Sequence, residues 1–335
     1  MKKPDADTPA ISKPSSSPTK DPARVIGLSI VTLIVVFATA WLYVRGRAAI
    51  ASPQRPSTGT MEAVNDARFR ADAWYLPDEP TLGFVEIPAG TFVMGSDPAI
   101  DRAAYENERW SSSQHQHHLE LSTFYIGRYE TTVAQFGAFV SATNRVVDSQ
   151  TLRAPGNHPV THVTWPDAIA YAAWLEAQLK NSPQTPAPLV ALLKDGWHFS
   201  LPDEAQWEKA ARNTDGRIFP WGDEPNPEKA NFGRSGTMPV GSFACPECPF
   251  ALADMSGNVW ELTRSPFQPY PYTNDEPRDP QADALFVMRG GAFNDAPNNV
   301  RTAIRGGIDP GARRPFIGFR LVLSKINLEV TAKKE

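Results

Sequence analysis

An uncharged run of twenty residues, Val25 to Val44, constrains this chain more than any other feature. A helix of that length spans the hydrocarbon core of a bilayer, and Trp41 and Tyr43 fall where interfacial aromatic residues are enriched. More lysines and arginines precede the run than follow it closely, which favours a cytoplasmic N-terminus. The run therefore predicts a single-pass transmembrane signal anchor at residues 25–44 of a bacterial inner membrane, with the C-terminal domain in the periplasm.

A cleaved signal peptide is the alternative interpretation of the same run. Ala49, Ile50 and Ala51 have the small-residue spacing of a cleavage site. However, the apolar run is longer than a signal peptide requires, and Arg45 and Arg47 separate it from that site. The uncleaved anchor is therefore favoured.

The anchor also sets the division of the chain. Residues 1–24 are rich in Pro, Ser and Lys and are predicted to be a disordered cytoplasmic tail. Residues 45–81 are interpreted as a linker and membrane-proximal segment, residues 82–324 as a globular domain, and residues 325–335 as a polar tail. A net charge of −4 gives no sign of the basic surface that nucleic acid requires.

Short alternating segments in the globular region predict strands. Phe84–Pro88 and Thr91–Gly95 alternate apolar and polar residues. The Ala89-Gly90 pair between them predicts a hairpin.

Helical spacing of apolar residues covers residues 131–143 and 165–180. Pro166 fits the first turn of the second helix, where its missing N–H has no helical partner to lose. Asp203 and Gln206 have the form of a capping box that opens a third helix through Arg212. Together with the strands, these segments predict an α+β domain that is rich in loops.

The segment from Leu252 to Glu261 (LADMSGNVWE) concentrates oxygen ligands. Asp254 and Glu261 are seven residues apart, with Gly257 between them. Carboxylate and carbonyl oxygens at such spacing suit a hard cation such as calcium.

This segment is one of an ordered series of landmarks, and the combination resembles the formylglycine-generating enzyme (sulfatase-modifying factor) family. The landmarks are Val85–Ser96, Phe124–Thr132, His158–Trp165, Leu201–Arg212, Phe219–Asp223, Asp254–Glu261, Arg289–Gly291 and Gly318–Leu321. The resemblance implies the loop-rich fold of that family, which is distantly related to C-type lectins. It also implies that arginines such as Arg320 brace the core by pairing with buried acids such as Glu208 and Glu261.

The resemblance implies two calcium sites. One would take ligands from Asp254, Gly257, Val259 and Glu261, with the carbonyls of Gly257 and Val259 contributing. The second would begin at Asn231 and Phe232, with its later ligands in the short segment 233–239. Structural calcium is therefore the expected cofactor.

The resemblance implies a copper centre for the related enzymes, which oxidise a substrate cysteine to formylglycine. Their two copper-binding cysteines follow an Arg-Gly-Gly-Ser segment and are five residues apart. Here Arg289-Gly290-Gly291 is followed by an alanine, Asp295 falls at the first cysteine position, and no cysteine is near. Because Cu(I) selects soft thiolates, no copper is expected, and the cleft candidates are Asn294, Asp295 and Asn298.

The two cysteines, Cys245 and Cys248, have three possible roles. A local disulfide is favoured in an oxidising compartment. A soft-metal site would need further ligands, and a redox-active pair would need a helix N-terminus to lower the pKa of the first thiol. The cluster of His115, His117 and His118 has a composition that suits metals, but the resemblance implies a packing role.

Three functions from different classes remain. The favoured one is an accessory, assembly or protein-binding subunit with a protein partner in the periplasm or membrane. The alternative is a periplasmic oxidoreductase or maturation enzyme with a non-cysteine active site. A lectin-like carbohydrate binder is a third possibility. A fold alone does not decide among them.

Overall fold

The computed structural model describes residues 66–270 and 285–325. Within these ranges no helix has the length and apolar character needed to cross a membrane, and the anchor predicted at residues 25–44 lies outside them. The strands are Phe69–Arg70 (β1), Leu76–Pro77 (β2), Phe84–Ile87 (β3), Gly90–Gly95 (β4), Gln116–Leu121 (β5), Phe124–Gly127 (β6), His198–Ser200 (β7), Trp260–Pro266 (β8), Phe286–Arg289 (β9), Gly306–Ile308 (β10), Ile317–Gly318 (β11) and Val322–Ser324 (β12). The α-helices are Val133–Thr143 (α1), Trp165–Asn181 (α2), Ala187–Lys194 (α3) and Glu204–Arg212 (α4).

Two four-stranded sheets carry most of the domain. One has the order β3-β6-β12-β7 and is antiparallel throughout. The other has the order β10-β9-β8-β11, and its β8–β11 pair is parallel. The pairs β1–β2 and β4–β5 stand apart. The mixed α and β content confirms the predicted class.

The hairpin predicted at Ala89-Gly90 is wrong. Strand β3 pairs with β6, and β4 pairs with β5. Ile87 pairs with Phe124 and Gly90 with Leu121, so the register continues across the interruption. Strands β3 and β4 therefore form one side of a single long ribbon, whose turn is the segment 96–115.

A break in the ribbon explains why this site looks like a turn in the sequence. Pro88 has no N–H to give to a strand ladder, and the Ala89 N–H donates instead to Thr123 Oγ1 at 3.1 Å. The buried ammonium of Lys209 donates to the carbonyls of Pro88 (2.7 Å) and Gly90 (2.9 Å). Lys209, on the distant helix α4, therefore supplies the hydrogen bonds that these two carbonyls lack within the ribbon.

The helix predictions are confirmed. Asp203 accepts a hydrogen bond from the Gln206 N–H at 2.6 Å, and the Gln206 side chain accepts one from the Asp203 N–H at 2.9 Å. The same reciprocal cap begins α1 at Thr132 and α2 at Thr164. These contacts are local in sequence, which is why the pattern of residue types predicted the cap at Asp203.

The folded region begins before residue 82. Residues 66–81, expected to belong to the linker, contain the β1–β2 pair. Ala73 and Leu76 are buried in the largest hydrophobic cluster, together with Phe136 and Tyr171. Apolar burial therefore extends the domain toward its N-terminus.

Helix α4 is buried along its whole length although it carries charged residues. Its glutamates pair with buried arginines: Glu204 with Arg305, and Glu208 with Arg289 and Arg212. Fully buried charges are rare unless they are paired. The arginine bracing implied by the resemblance is present in the structure.

We predict that Lys209→Met lowers the free energy of unfolding by about 1–3 kcal/mol, because buried carbonyls lose their donor. Urea denaturation of the purified chain measures this loss. Lys194→Met, at an exposed position of α3, is the matched control and should change stability little. Equal stability of the two variants would show that the Lys209 contacts do not stabilise the ribbon.

Candidate metal centre and neighbouring cleft

The two segments predicted to bind calcium lie against each other. Gly257 bridges Asn231, and the Asn258 N–H donates to the Asn231 carbonyl at 2.8 Å. Gly257 has a φ of 77°, and a Cβ there would lie 2.3 Å from the same carbonyl oxygen. The turn before β8 therefore requires glycine, because only glycine permits both the conformation and the contact.

The side-chain oxygen of Asn231 is buried and accepts no hydrogen bond from the described residues. Its side chain is completely buried. The Nδ2 group donates to Gly236 O at 3.0 Å and to Asn258 Oδ1 at 2.9 Å, which fixes the orientation of the amide. Its Oδ1 has no hydrogen-bond partner among the described residues. Because buried polar atoms are nearly always satisfied, this oxygen fits a cation ligand.

Glu130 is a fully buried carboxyl group connected to this amide through Asn258, and the half-buried Asp254 interacts electrostatically with Glu130. Asp254 Oδ2 accepts the Gly241 N–H at 2.6 Å, and burial raises the pKa of Asp254 to about 6. Glu130 accepts hydrogen bonds from Asn258 Nδ2 at 2.6 Å and from the Val259 N–H at 3.3 Å. Burial, followed by the charges of Asp254 and Glu261, raises the pKa of Glu130 well above its usual range.

Glu261 is already bound by protein donors. Its two oxygens each accept a 2.6 Å hydrogen bond from Arg320, and Oε2 also accepts the Trp207 indole N–H at 2.8 Å. A carboxylate has about four lone-pair positions, so Glu261 has one left on Oε1. The charge of Glu261 raises the pKa of Arg320 although burial opposes the charged form.

The cluster has more buried carboxyl groups than buried cations. One cation, Arg320, interacts electrostatically with three acids: Glu130, Asp254 and Glu261. A divalent cation would compensate the excess negative charge, and an all-oxygen set suits calcium. However, no three His, Cys, Asp or Glu side chains converge in metal-binding geometry within residues 66–270 and 285–325. A calcium ion here would therefore depend on amide and main-chain oxygens, as predicted for Gly257 and Val259.

The cleft candidates lie next to the second predicted calcium segment. Asp295 Oδ2 accepts the Trp260 indole N–H at 2.8 Å and the Ala292 N–H at 2.9 Å. The Asp295 carbonyl accepts the Gly233 N–H at 2.9 Å. Asn294 and Asn298 are exposed. The structure therefore joins the loop of these candidates to the predicted calcium segments by several main-chain hydrogen bonds, since the Arg234 N–H also donates to the Phe293 carbonyl at 2.6 Å and the Phe293 N–H to the Asn258 carbonyl at 3.0 Å.

The comparisons with known proteins agree with this framework. The Sulfatase-modifying factor enzyme 1-like domain matches residues 74–325. The chain belongs to this family.

Its relatives include enzymes. Formylglycine-generating enzyme of Thermomonospora curvata is 29% identical, over 73% of this chain and 94% of that protein. Hercynine oxygenase of Mycolicibacterium smegmatis is 27% identical, over 71% of this chain and 60% of that protein. The solved structure of PvdO from Pseudomonas aeruginosa superimposes with a TM-score of 0.58 at 25% identity, covering 72% of this chain and 94% of PvdO. These matches confirm the resemblance and the fold.

At the two positions that the resemblance assigns to copper-binding cysteines, this chain has other residues. Asp295 stands at the first cysteine position, and its carboxylate is bound to the loop. Val300, five residues later, is fully buried against Phe219 and Phe232. Neither position offers a thiolate.

The two cysteines lie elsewhere and are joined. Cys245 and Cys248 form a disulfide with a Cα–Cα distance of 5.3 Å. They precede only a short 3-10 turn, Pro249–Ala251, so no α-helix N-terminus follows them.

The histidines make local contacts. His115 Nδ1 lies 3.2 Å from Asp97, and His117 stacks on Trp110 with a centroid distance of 4.4 Å. His158 Nδ1 lies 2.9 Å from Thr237 Oγ1. These contacts favour the packing role.

Sequence reasoning missed Glu130 as a member of the buried acidic group. Its only signal was an acid between Tyr129 and Thr131 just before the cap of α1. Nothing in that local pattern shows that the carboxyl group points to Asn258, 128 residues away.

We predict a distinctive pH dependence of stability in a calcium chelator. The folded-state pKa of Asp254, about 6, exceeds its unfolded value of about 3.9. The contribution of Asp254 is therefore fully present below pH ~4 and is lost as the pH rises through ~6. Asp254→Asn should flatten this decline, by up to about 1.4 kcal/mol per pH unit.

Urea denaturation of both proteins in chelator between pH 4 and 7 measures the difference. Saturating calcium should restore stability to the parent protein at pH 7 and not to the variant. Identical pH profiles would show that Asp254 is not the titrating group.

Proposed function

We propose that this protein is a membrane-anchored periplasmic member of the sulfatase-modifying factor family that acts as an accessory, assembly or protein-binding subunit. It binds structural calcium and lacks copper-dependent formylglycine-generating activity. Its partner is a protein in the periplasm or membrane.

The observation that carries this proposal is that an aspartate, Asp295, occupies the first predicted cysteine position and that its carboxylate accepts hydrogen bonds from its own loop and from Trp260. A carboxylate is a hard ligand and a poor substitute for a thiolate toward Cu(I). Here both Trp260 and the Ala292 N–H occupy the same Asp295 oxygen, so the residue serves to shape the loop. Buried Val300 has no ligating group.

The surface around Tyr105 and Asn299 supports a binding role. Tyr105 is 45% exposed, yet its hydroxyl donates to Asn299 Oδ1 at 3.0 Å and its ring packs on the Arg301 guanidinium. Arg301 is itself fixed by the buried acids Asp101 and Glu108. A rigid exposed tyrosine beside uncharged asparagines is typical of protein interfaces, which are rich in tyrosine and poor in charge at their centres.

Calcium would support this surface indirectly. An ion on Asn231 Oδ1, at the second predicted calcium site, would fix the segment that continues to Gly233, whose N–H donates to the Asp295 carbonyl. The ion would compensate the negative charge of the neighbouring acidic side chains. The Gly233 N–H would then hold the loop of Asp295 in place.

An oxidoreductase or maturation enzyme with a non-cysteine site near Asn294, Asp295 and Asn298 is the second candidate. It is favoured by the similarity to a protein named Hercynine oxygenase. This function requires a redox-active metal or an organic cofactor, so metal content and bound chromophores separate it from the accessory role.

We predict that a photo-crosslinking amino acid at Asn298 captures a discrete protein adduct in the native cells. Tyr105→Ala should lower the yield about tenfold, since interface tyrosines often contribute more than 1 kcal/mol to binding. The same probe at exposed Lys194 is the control and should give no such adduct. Absence of an adduct from both Asn298 and Asn294 in folded protein would contradict the partner-binding role.

We predict that a reporter fused after Glu335 is active only outside the cytoplasm. The apolar run at residues 25–44 and the more basic N-terminal flank support this orientation. A paired reporter that works only in the cytoplasm serves as the control. Cytoplasmic activity of the fusion would contradict the proposed topology.

A further inference from the structure

Residues 69–77, which contain the β1–β2 pair, form a strap over a small cavity. Leu76 and Pro77 line the cavity on the side of the strap, and Tyr171 and Leu175 of α2 line it on the side of the core. Its volume is about 20 Å³. One water molecule requires roughly 10–15 Å³ of such space, so the cavity has room for about one water.

Tyr171 brings a polar group to this cavity. Its side chain is only 1% exposed, and its ring packs against Phe136, Phe139 and Phe319 at centroid distances of 5.8, 5.8 and 5.7 Å. Burial raises the pKa of the Tyr171 hydroxyl, and no described residue hydrogen-bonds to it. Because a buried tyrosine hydroxyl usually has a hydrogen-bond partner and aromatic side chains surround the ring, the cavity is where such a partner would lie.

Two further polar side chains line the cavity, Thr131 and Gln135, and both are buried. Gln135 Nε2 donates to the Tyr75 carbonyl at 2.9 Å, which leaves its second N–H for another acceptor. A threonine hydroxyl can donate or accept. Together with Tyr171, these side chains offer three partners, which is the usual number for a buried water.

The tip of the strap has an unfavourable backbone conformation. Trp74 and Tyr75 have φ values of 52° and 59°, in the left-handed region where residues with a Cβ are disfavoured. Such residues persist only where the surrounding structure over-determines them. The bond from Gln135 to the Tyr75 carbonyl is one constraint on the tip, and a ligand between the strap and α2 would add another.

We infer that this cavity binds one water molecule, which hydrogen-bonds to Tyr171, Thr131 and Gln135 and holds the strap against α1 and α2. Cavities that stay empty are apolar, whereas buried waters bond to otherwise unsatisfied polar groups. A bridging water is nearly as favourable in enthalpy as a direct hydrogen bond. The water is a structural ligand of the N-terminal part of the domain, and its binding does not depend on calcium.

The test is a crystal structure of the full chain at a resolution that shows ordered waters, together with the variants Tyr171→Phe and Tyr125→Phe. Tyr125 is the matched control, because its hydroxyl donates to Glu86 at 2.9 Å on the exposed side of the sheet. A single peak about 2.8 Å from Tyr171 Oη is expected in the parent and in the control, and not in Tyr171→Phe. An empty cavity in the parent, a larger molecule in it, or an unchanged peak in Tyr171→Phe would overturn the inference.

Hydrogen exchange measures whether the water holds the strap. The Tyr75 N–H donates to the Arg70 carbonyl at 2.8 Å and reports on the tip. It should exchange about fivefold faster in Tyr171→Phe, roughly the effect of one lost hydrogen bond, and at the parent rate in Tyr125→Phe. Equal rates in all three chains would overturn the link between the water and the strap.

Discussion

The buried ion pair between Arg320 and Glu261 is the interaction on which the rest of the structure depends. Both side chains are fully buried, and the guanidinium also donates to the carbonyls of Gly127, Arg128 and Ala253. Arg320 lies just before β12 of one sheet, and Glu261 belongs to β8 of the other. The pair therefore joins both sheets to the loop that carries Asp254. Removing one partner of such a pair typically costs about 3–5 kcal/mol.

The same pair explains the chemistry of the candidate metal centre. Arg320 neutralises Glu261, while the half-buried Asp254 and the fully buried Glu130 interact electrostatically with both and have raised pKa values. The centre can balance its charge either by keeping these groups protonated or by binding a cation. The orphan oxygen of Asn231 favours the cation. A cation bound at Asn231 would act on the loop of Asp295 through Gly233, whose N–H donates to the Asp295 carbonyl at 2.9 Å.

The sequence predicted the features that depend on neighbouring residues. The capping boxes of the helices were predictable because each cap joins residues three apart. The hairpin at Ala89-Gly90 was wrong because the partner of that segment is distant, and Lys209 satisfies the break from another helix. The role of Glu130 depends on Asn258, 128 residues away, and the amide of Asn231 is fixed in part by the same Asn258, 27 residues away. No local pattern of residue types encodes such contacts.

Quantitative metal analysis of the full chain, purified without chelator, distinguishes a structural calcium ion from a redox metal. We predict stoichiometric calcium with neither copper nor iron, also after incubation with Cu(I). We further predict that Asp254→Asn lowers the calcium content. Stoichiometric copper or iron would contradict the account and favour the oxidoreductase, and absence of calcium would remove the metal centre from it.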